Sequence, residues 1–217
     1  QEAEAFIRKA IELKPHLFNS HFFLANILIG QKKLQEAEQP LRKTIELNPD
    51  LANAHLNLGN ILKDLGKLQE AELSTRKAIQ LNPNFAQAHS NLGNILRDLG
   101  NLKEAELSQR KAIALNPDCS LSHRDLGICL YLMRDISSAL NCLKKANSLD
   151  PKESGSQILL NILQKEQNSN NRNLKNNKKM SLTKTRLKSN PLILNMPVEE
   201  ELIDRLYNIK ARDQEKY

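Results

Sequence analysis

Apolar and small residues recur along this chain with the spacing of helices, and the pattern itself repeats every 34 residues. Within residues 52–85, a first stripe falls at i, i+4, i+7 and i+11, which is one face of an α-helix. Its members are Ala54, Leu58, Ile61 and Leu65. A second helical stripe runs from about residue 67 to 81 and stops before Pro83, because the residue preceding a proline is pushed out of the α region. Each unit is therefore predicted to be a pair of α-helices.

Two copies of this unit are nearly identical. Of the 27 positions from Asn57 to Pro83, 22 recur unchanged from Asn91 to Pro117. Prolines mark the same 34-residue offset along the array, at Pro15, Pro49, Pro83, Pro117 and Pro151. A fixed period between 20 and 50 residues is typical of repeat architectures, in which each unit packs only against its neighbours. We therefore predict an all-α fold, built as a stack of helix pairs.

Small residues recur at fixed places in each unit. They are Gly59, Gly93 and Gly127 in the first helices and Ala71, Ala105 and Ala139 in the second helices. Two helix backbones approach closely only where one side chain is nearly absent, so we expect the two helices of each unit to cross there. Gly66 and Gly100 are placed to end the first helix in a left-handed conformation, whereas the fourth unit has Arg134 at this place. Three residues are placed to cap the next helix: Asp50, Asn84 and Asp118.

A family resemblance rests on seven residues of one unit. Leu58, Gly59, Leu62, Gly66, Ala71, Ala78 and Pro83 resemble the tetratricopeptide repeat, a 34-residue helix–turn–helix. The resemblance implies an α-solenoid, in which the helix pairs form a right-handed superhelix. The family's aromatic positions are replaced here, for example by histidine at the fourth position and leucine at the eleventh. We interpret the four histidines as packed and hydrogen-bonded, since rings one repeat apart are too distant to share a metal ion.

The same spacing divides the chain into segments. Residues 1–17 are a partial repeat with its second helix only, and residues 18–51, 52–85, 86–119 and 120–153 are four complete repeats, named here repeats 1 to 4. Residues 154–165 are predicted to form a capping helix, 166–190 a disordered basic linker rich in Asn and Lys, and 191–217 the start of a truncated second domain. In that last segment, residues 191–197 read as a short strand, followed by an amphipathic helix.

The net charge of +7 comes from one segment. Residues 167–190 contain no acid and seven basic residues: Arg172, Lys175, Lys178, Lys179, Lys184, Arg186 and Lys188. Low hydrophobicity combined with like charge favours disorder. The alternative interpretation is RNA binding through residues 172–188, but the segment has no interleaved aromatic residues. We expect a solvated tether and do not expect nucleic acid as a partner.

The resemblance also implies a binding surface, because first-helix positions line the concave groove of such superhelices. In this chain the stripe contains Asn26, Asn57, Asn60, Asn91 and Asn94, together with Phe22, Lys63, Arg97, Arg124 and Tyr131. An amide is both donor and acceptor, so a ladder of them can pair with the backbone of an extended peptide. The ladder resembles the asparagine-lined repeats of O-linked N-acetylglucosamine transferase, whose asparagines hold the substrate backbone. The alternative is that these asparagines only solvate a helix face.

Several classes of function are not expected from the residues present. The carboxylate clamp of chaperone-binding repeats needs basic residues where this chain has Phe22, Gln87 and Asn91. No catalytic constellation, cofactor site or metal site is predicted. No run of 18 apolar residues exists, so no membrane span is expected. The three cysteines lack CxxC spacing, which favours free thiols in a reducing cytoplasm.

The sequence therefore predicts a non-enzymatic scaffold that binds a protein or peptide segment in the concave groove. The alternative is a substrate-positioning arm of a multidomain enzyme, of glycosyltransferase or oxygenase type, whose catalytic domain lies beyond Tyr217. Self-association through the exposed N-terminal helix is a further hypothesis about partners.

Overall fold

The computed structural model describes residues 2–152, 155–165 and 167–168, and the chain divides into two compact units, Gln1–Lys152 and Glu153–Tyr217. In the described part of the first unit, nine α-helices follow one another. They are α1 (Glu2–Leu13), α2 (Phe18–Gly30), α3 (Leu34–Leu47), α4 (Ala52–Asp64), α5 (Leu68–Leu81), α6 (Ala86–Asp98), α7 (Leu102–Leu115), α8 (Ser120–Leu132) and α9 (Ile136–Leu149).

The helices pack as a solenoid of hairpins. The most extensive contacts join α2 with α3, α4 with α5, α6 with α7 and α8 with α9. Each second helix also contacts the first helix of the next hairpin, and α6 contacts both α4 and α8. The predicted all-α solenoid is confirmed. Residues 155–165 of the second unit are helical, with Leu159, Leu160 and Leu163 buried; their role as a cap stays a prediction, and the predicted strand and helix beyond 190 lie outside the described residues.

In repeats 2, 3 and 4, a glycine lies where the two helices of the hairpin cross. A Cβ atom added to Gly59 would lie 3.2 Å from the carbonyl oxygen of Ala71 and would overlap Thr75 Oγ1. At Gly127 the corresponding distance to the carbonyl oxygen of Ala139 would be 3.3 Å. Real side chains rarely tolerate such distances, so the predicted close crossing is confirmed for Gly59 with Ala71 and for Gly127 with Ala139, whereas a Cβ atom added to Gly93 would meet the side chain of Gln109 before Ala105.

The turn inside each hairpin uses a left-handed residue at the same place. Gly66 and Gly100 have φ values of 77° and 83°, and Lys32 and Arg134 take the same region with φ of 60° and 68°. For residues with a Cβ atom this conformation costs roughly 1–2 kcal/mol. Repeats 1 and 4 therefore keep the turn geometry at an energetic cost that repeats 2 and 3 avoid.

The predicted side-chain caps at Asp50, Asn84 and Asp118 are wrong. Each of these residues lies one position before the observed N-cap, and the caps themselves, Leu51, Phe85 and Cys119, make no side-chain cap hydrogen bond. Instead the backbone closes the turn on itself: Ala54 N–H donates to the carbonyl of Leu51, and Ala88 N–H to that of Phe85. The tight proline turn leaves the apolar residue, not the polar one, at the start of the helix.

Each histidine of the four repeats fastens the proline turn before it. The ring Nε2 atoms lie 2.8–2.9 Å from the carbonyl oxygen of the proline six residues earlier. The pairs are His21–Pro15, His55–Pro49, His89–Pro83 and His123–Pro117. A carbonyl oxygen only accepts, so Nε2 carries the proton in each ring. The interpretation of these histidines as hydrogen-bonded structural residues is confirmed.

Ion pairs link the second helices of successive repeats. Arg42 Nη2 lies 2.7 Å from Glu70 Oε2, and Arg76 pairs with Glu104 in the same way. Lys67 Nζ also lies 2.9 Å from Glu38 Oε2. These side chains are partly exposed, so each pair contributes only about 0–1 kcal/mol.

Candidate functional site on the first helices of the repeats

Three hydrogen-bonded pairs join side chains on successive first helices. Asn57 Nδ2 donates to Asn26 Oδ1 at 2.9 Å, linking α4 to α2. Asn91 Nδ2 donates to Asn60 Oδ1, linking α6 to α4. The third pair joins α6 to α8, where Asn94 Nδ2 donates to Asp125 Oδ2 at 2.7 Å. We call the six residues of these pairs the first-helix row: Asn26, Asn57, Asn60, Asn91, Asn94 and Asp125.

The spacing of the pairs follows from the repeat. The partners are 31 residues apart, which is one period of 34 less three residues, or nearly one helical turn. The ninth position of one repeat therefore bonds with the sixth position of the next. The structure brings all five predicted asparagines together in this way.

The first two pairs keep unused hydrogen-bonding capacity. A side-chain amide has two N–H groups and an oxygen with two lone pairs. Within the described part of the chain, Asn26, Asn57, Asn60 and Asn91 each make only the one bond given above. Asn26 is exposed and the other three are half-buried. Both pairs can therefore still donate and accept, and we call them the open pairs.

In the third pair, the side-chain oxygen of Asn94 has no free acceptor capacity. Asn94 Oδ1 accepts from Arg97 Nη1 at 3.0 Å and from Gln109 Nε2 at 3.3 Å, in addition to the bond that its own amide donates to Asp125. Because a guanidinium only donates and a carboxylate only accepts, the amide of Asn94 has one orientation. We call this the closed pair.

Gln109 anchors the closed pair from the second helix of the repeat. Its side chain is 1% exposed, and Nε2 donates to the backbone carbonyl of Ser90 at 2.9 Å. Ser90 Oγ donates in turn to Gln109 Oε1, and Ser122 Oγ donates to Ser90 Oγ. A buried amide needs such partners, since an unsatisfied one costs about 1–3 kcal/mol.

The predicted basic residues are neutralised locally. Lys63, Arg97 and Arg124 each form an ion pair with the aspartate that follows in sequence. The nitrogen–oxygen distances are 3.3, 3.0 and 3.3 Å. The first-helix row therefore combines amides with paired charges and has no strongly charged face.

The two predicted aromatic residues occupy different environments. Phe22 is half-buried against the core of the first two repeats, and Tyr131 is half-buried near the end of α8. The neighbouring Phe23 is 54% exposed, and with Asn26 and residues of α1 it lines an open apolar cavity of about 500 Å³. Self-association through α1 stays a prediction.

The described residues contain no cluster of three His, Cys, Asp or Glu side chains that could hold a metal ion. Burial raises the pKa of Cys129 to about 11, so this thiol stays protonated at neutral pH. No helix in the described ranges combines the length and the apolar character needed to cross a membrane.

The sequence profile of the tetratricopeptide repeat matches residues 18–51, 52–85 and 86–119. This chain contains tetratricopeptide repeats. No curated protein matches the chain.

Several solved structures resemble the chain. MamA from Desulfovibrio magneticus RS-1 is 19% identical over 79% of this chain and 97% of that one, with a TM-score of 0.65. YrrB, described as a TPR protein with an unusual peptide-binding site, is 22% identical over 75% and 84%, with a TM-score of 0.62. Pseudomonas aeruginosa pilF is 21% identical over 70% and 69%, with a TM-score of 0.65. At these identities the likeness is one of fold.

The predicted site residues did not include Gln109, Ser90, Ser122 or Asp125. The sequence did contain a signal for Gln109. Repeats 2 and 3 differ at only five of the 27 aligned positions, and Gln109 is one of them. Two of those five differences are Lys63 against Arg97 and Thr75 against Gln109. Both Arg97 and Gln109 contact Asn94, so the differences between near-identical repeats fall on the closed pair.

Proposed function

We propose that this chain is a protein-interaction scaffold that binds an extended segment of a partner protein along the first-helix row. The observation that carries the proposal is the pairing of amides between successive first helices. The open pairs leave N–H groups and carbonyl oxygens that can bond to the backbone of a bound segment. This chemistry favours recognition of the partner's backbone over its side chains.

The basic residues beside the row favour a neutral segment. Lys63, Arg97 and Arg124 already have carboxylate partners, so an acidic peptide would have to displace them. The positions of a carboxylate clamp hold Phe22, Gln87 and Asn91 instead of basic residues. A description of YrrB as a peptide-binding repeat protein supports the same class of function in a related fold.

The expected affinity is modest. Four open amides contribute about 1 kcal/mol each, and about 4 kcal/mol together corresponds to a dissociation constant of about 1 mM before the cost of association. Association costs further free energy in lost translational and rotational freedom, so a short peptide is expected to bind with a dissociation constant in the millimolar range or weaker. Contacts of the partner outside the row would raise the affinity.

The test uses the double variant Asn60→Ala and Asn91→Ala, which removes one open pair. Random peptides of about twelve residues, long enough to span three repeats, are selected for binding to the wild-type chain and then titrated against both proteins by isothermal calorimetry. Loss of two amide contacts is expected to weaken binding by about thirtyfold. The matched control is Asn141→Ala, an exposed asparagine on α9.

Two results would remove the proposal. One is the selection of no peptide that binds the folded chain. The other is equal affinity of the selected peptides for the wild type and the double variant, with circular dichroism confirming that both are folded.

A further inference from the structure

We infer that the row binds its partner segment in the polyproline II conformation, through the two open pairs, and that the closed pair does not take part. This inference rests on the proposed function and adds to it the conformation of the ligand and the limits of its binding site. It follows from three considerations: which amides are open, the distance that helix packing sets between successive pairs, and what closes the third pair.

Each open pair matches one peptide unit. In the pair of Asn60 and Asn91, both N–H groups of Asn60 and the oxygen of Asn91 have no partner in the described residues. The pair of Asn26 and Asn57 leaves the same groups. A backbone carbonyl can accept from the first amide while a backbone N–H donates to the second. One open pair therefore holds one donor and one acceptor of a bound chain.

The distance between the open pairs selects the backbone conformation. Packed helices generally have axes about 8–10 Å apart, and the hydrogen bonds from α2 to α4 and from α4 to α6 place successive first helices side by side, so we expect the open pairs to repeat at about that distance. A polyproline II chain returns to the same face every three residues, which at 3.1 Å per residue is about 9.3 Å. A β-strand returns every two residues, or about 6.7 Å. Only the polyproline II period presents equivalent backbone groups to both pairs.

The same conformation leaves its backbone groups available. Polyproline II has no internal hydrogen bonds, and proline-rich segments adopt it before binding, which lowers the entropic cost of association. An α-helix has already used its N–H and C=O groups. A proline at every third position of the segment removes one backbone N–H in three, and the other two residues of each triplet can still donate.

The closed pair ends the site. Asn94 has its oxygen occupied by Arg97 and Gln109 and one N–H of its amide bonded to Asp125, which is buried. A bound chain cannot donate to the oxygen of Asn94 without displacing Arg97 or Gln109, so this pair cannot hold both a donor and an acceptor of a backbone as an open pair can. The binding site therefore lies across α2, α4 and α6, and the two open pairs cover about six residues of polyproline II.

The test observes the side-chain amides directly by ¹⁵N NMR of the full chain, with signals assigned from single Asn→Ala variants. The probe is a peptide of repeated Pro-Ala-Ser triplets, and its control is a peptide of Gly-Gly-Ser triplets of equal length, which is flexible. The Pro-Ala-Ser peptide is expected to shift the NH₂ signals of Asn26 and Asn60 and to leave that of Asn94 unchanged. The flexible peptide is expected to bind about tenfold or more weakly.

A second variant opens the closed pair. Arg97→Lys with Gln109→Thr gives repeat 3 the residues that repeat 2 has at these places. The Asn94 signal is then expected to shift with the Pro-Ala-Ser peptide, and the affinity is expected to rise about threefold to fivefold, the effect of one added hydrogen bond.

The outcomes separate this inference from the proposed function. Equal binding of the two triplet peptides, or a shift of the Asn94 signal in the wild type, overturns the inference. It is also overturned if the Pro-Ala-Ser peptide shifts no amide signal. The proposed function fails on separate grounds: either no peptide is selected from the random library, or the selected peptides bind no better to the wild type than to the Asn60→Ala, Asn91→Ala variant.

Discussion

Repeats 2 and 3 are nearly identical in sequence, yet they use the same asparagine differently. Asn60 makes a single hydrogen bond to the next repeat, whereas its equivalent Asn94 is held by Arg97, Gln109 and Asp125. The helix bounds of the two repeats correspond residue for residue. The comparison teaches that the shared residues set the fold, while a few differing residues decide which polar groups stay available for a ligand.

The difference begins at the second helix. The hydroxyl of Thr75 donates to the carbonyl of Ala71 in the same helix, at 2.8 Å. Gln109, at the equivalent place, reaches across to Ser90 on the first helix. Repeat 2 has the buried Leu56 where repeat 3 has Ser90. The longer side chain of Gln109 is therefore accommodated by the smaller, polar Ser90, whereas repeat 2 combines the shorter Thr75 with Leu56.

The largest expected effect concerns the close helix crossing that repeats 2 and 3 share. Gly93→Ala would place a Cβ atom within 2.7–2.9 Å of the Gln109 side chain, and Gly59→Ala would meet Thr75 and the backbone of Ala71. Each is expected to destabilise the chain by about 2–3 kcal/mol, because overpacking outweighs the better helix propensity of alanine. Urea unfolding followed by circular dichroism measures the effect.

The control for this substitution is Gly30→Ala. Gly30 is helical and has no neighbouring atom within 4 Å of an added Cβ atom. It is expected to stabilise the chain by up to about 1 kcal/mol. If Gly59→Ala or Gly93→Ala behaved like Gly30→Ala, the close crossing would have no energetic role.

A reciprocal exchange tests the difference between the repeats. Thr75→Gln places an amide beside Leu56, which offers no side-chain partner, and is expected to cost about 2–3 kcal/mol. Gln109→Thr is expected to cost only about 1 kcal/mol, because the hydroxyl can bond within its helix as Thr75 does. Equal costs in urea unfolding would contradict the pairing of Gln109 with Ser90. Thr75→Gln with Leu56→Ser is expected to recover part of the loss.

The turns of the flanking repeats provide a smaller effect. Arg134→Gly and Lys32→Gly give repeats 4 and 1 the residue that repeats 2 and 3 have at this left-handed position. Each is expected to raise the free energy of unfolding by about 1 kcal/mol. The reverse change, Gly100→Arg, is expected to lower it by a similar amount. Thermal unfolding that leaves all three variants unchanged would show that the φ values impose no cost.

The smallest expected effect concerns the ion pairs between successive second helices. Lys67 bonds to Glu38 at the junction of repeats 1 and 2, whereas repeat 3 has Asn101 at the equivalent place. Lys67→Asn makes the two junctions alike and is expected to cost about 0.5 kcal/mol at pH 7. The comparison is made by urea unfolding at several pH values.

The cost of Lys67→Asn is expected to depend on pH. The hydrogen bond from Lys67 lowers the pKa of Glu38 below its ordinary value of 4.5. A carboxylate with a lowered pKa adds stability above its unfolded-state pKa, and this stability is lost as the pH falls through the folded-state value. The difference between wild type and Lys67→Asn is therefore expected to shrink as the pH falls below 4.5 and Glu38 becomes protonated. A difference that stayed constant until Glu38 was fully protonated would contradict the role of this ion pair.

Much of the architecture is determined by the sequence alone. The 34-residue period, the helix pairs and the small residues at their crossings are local or periodic properties, and the structure has them where the spacing predicts. The caps at Asp50, Asn84 and Asp118 were predicted wrongly because side-chain preference does not show where a tight proline turn places the helix start. The left-handed φ of Arg134 was set by the turn and not by the residue.

The availability of the asparagines was decided only in three dimensions. Their positions on one helix face follow from spacing, but their bonding partners lie 31 residues away on another helix. Whether an amide stays open depends on side chains from three helices at once, as with Asn94, Arg97 on its own helix, Gln109 on α7 and Asp125 on α8. Hydrogen bonds act over about 3 Å, so a pattern along the chain cannot specify them until the packed helices bring the groups within that distance.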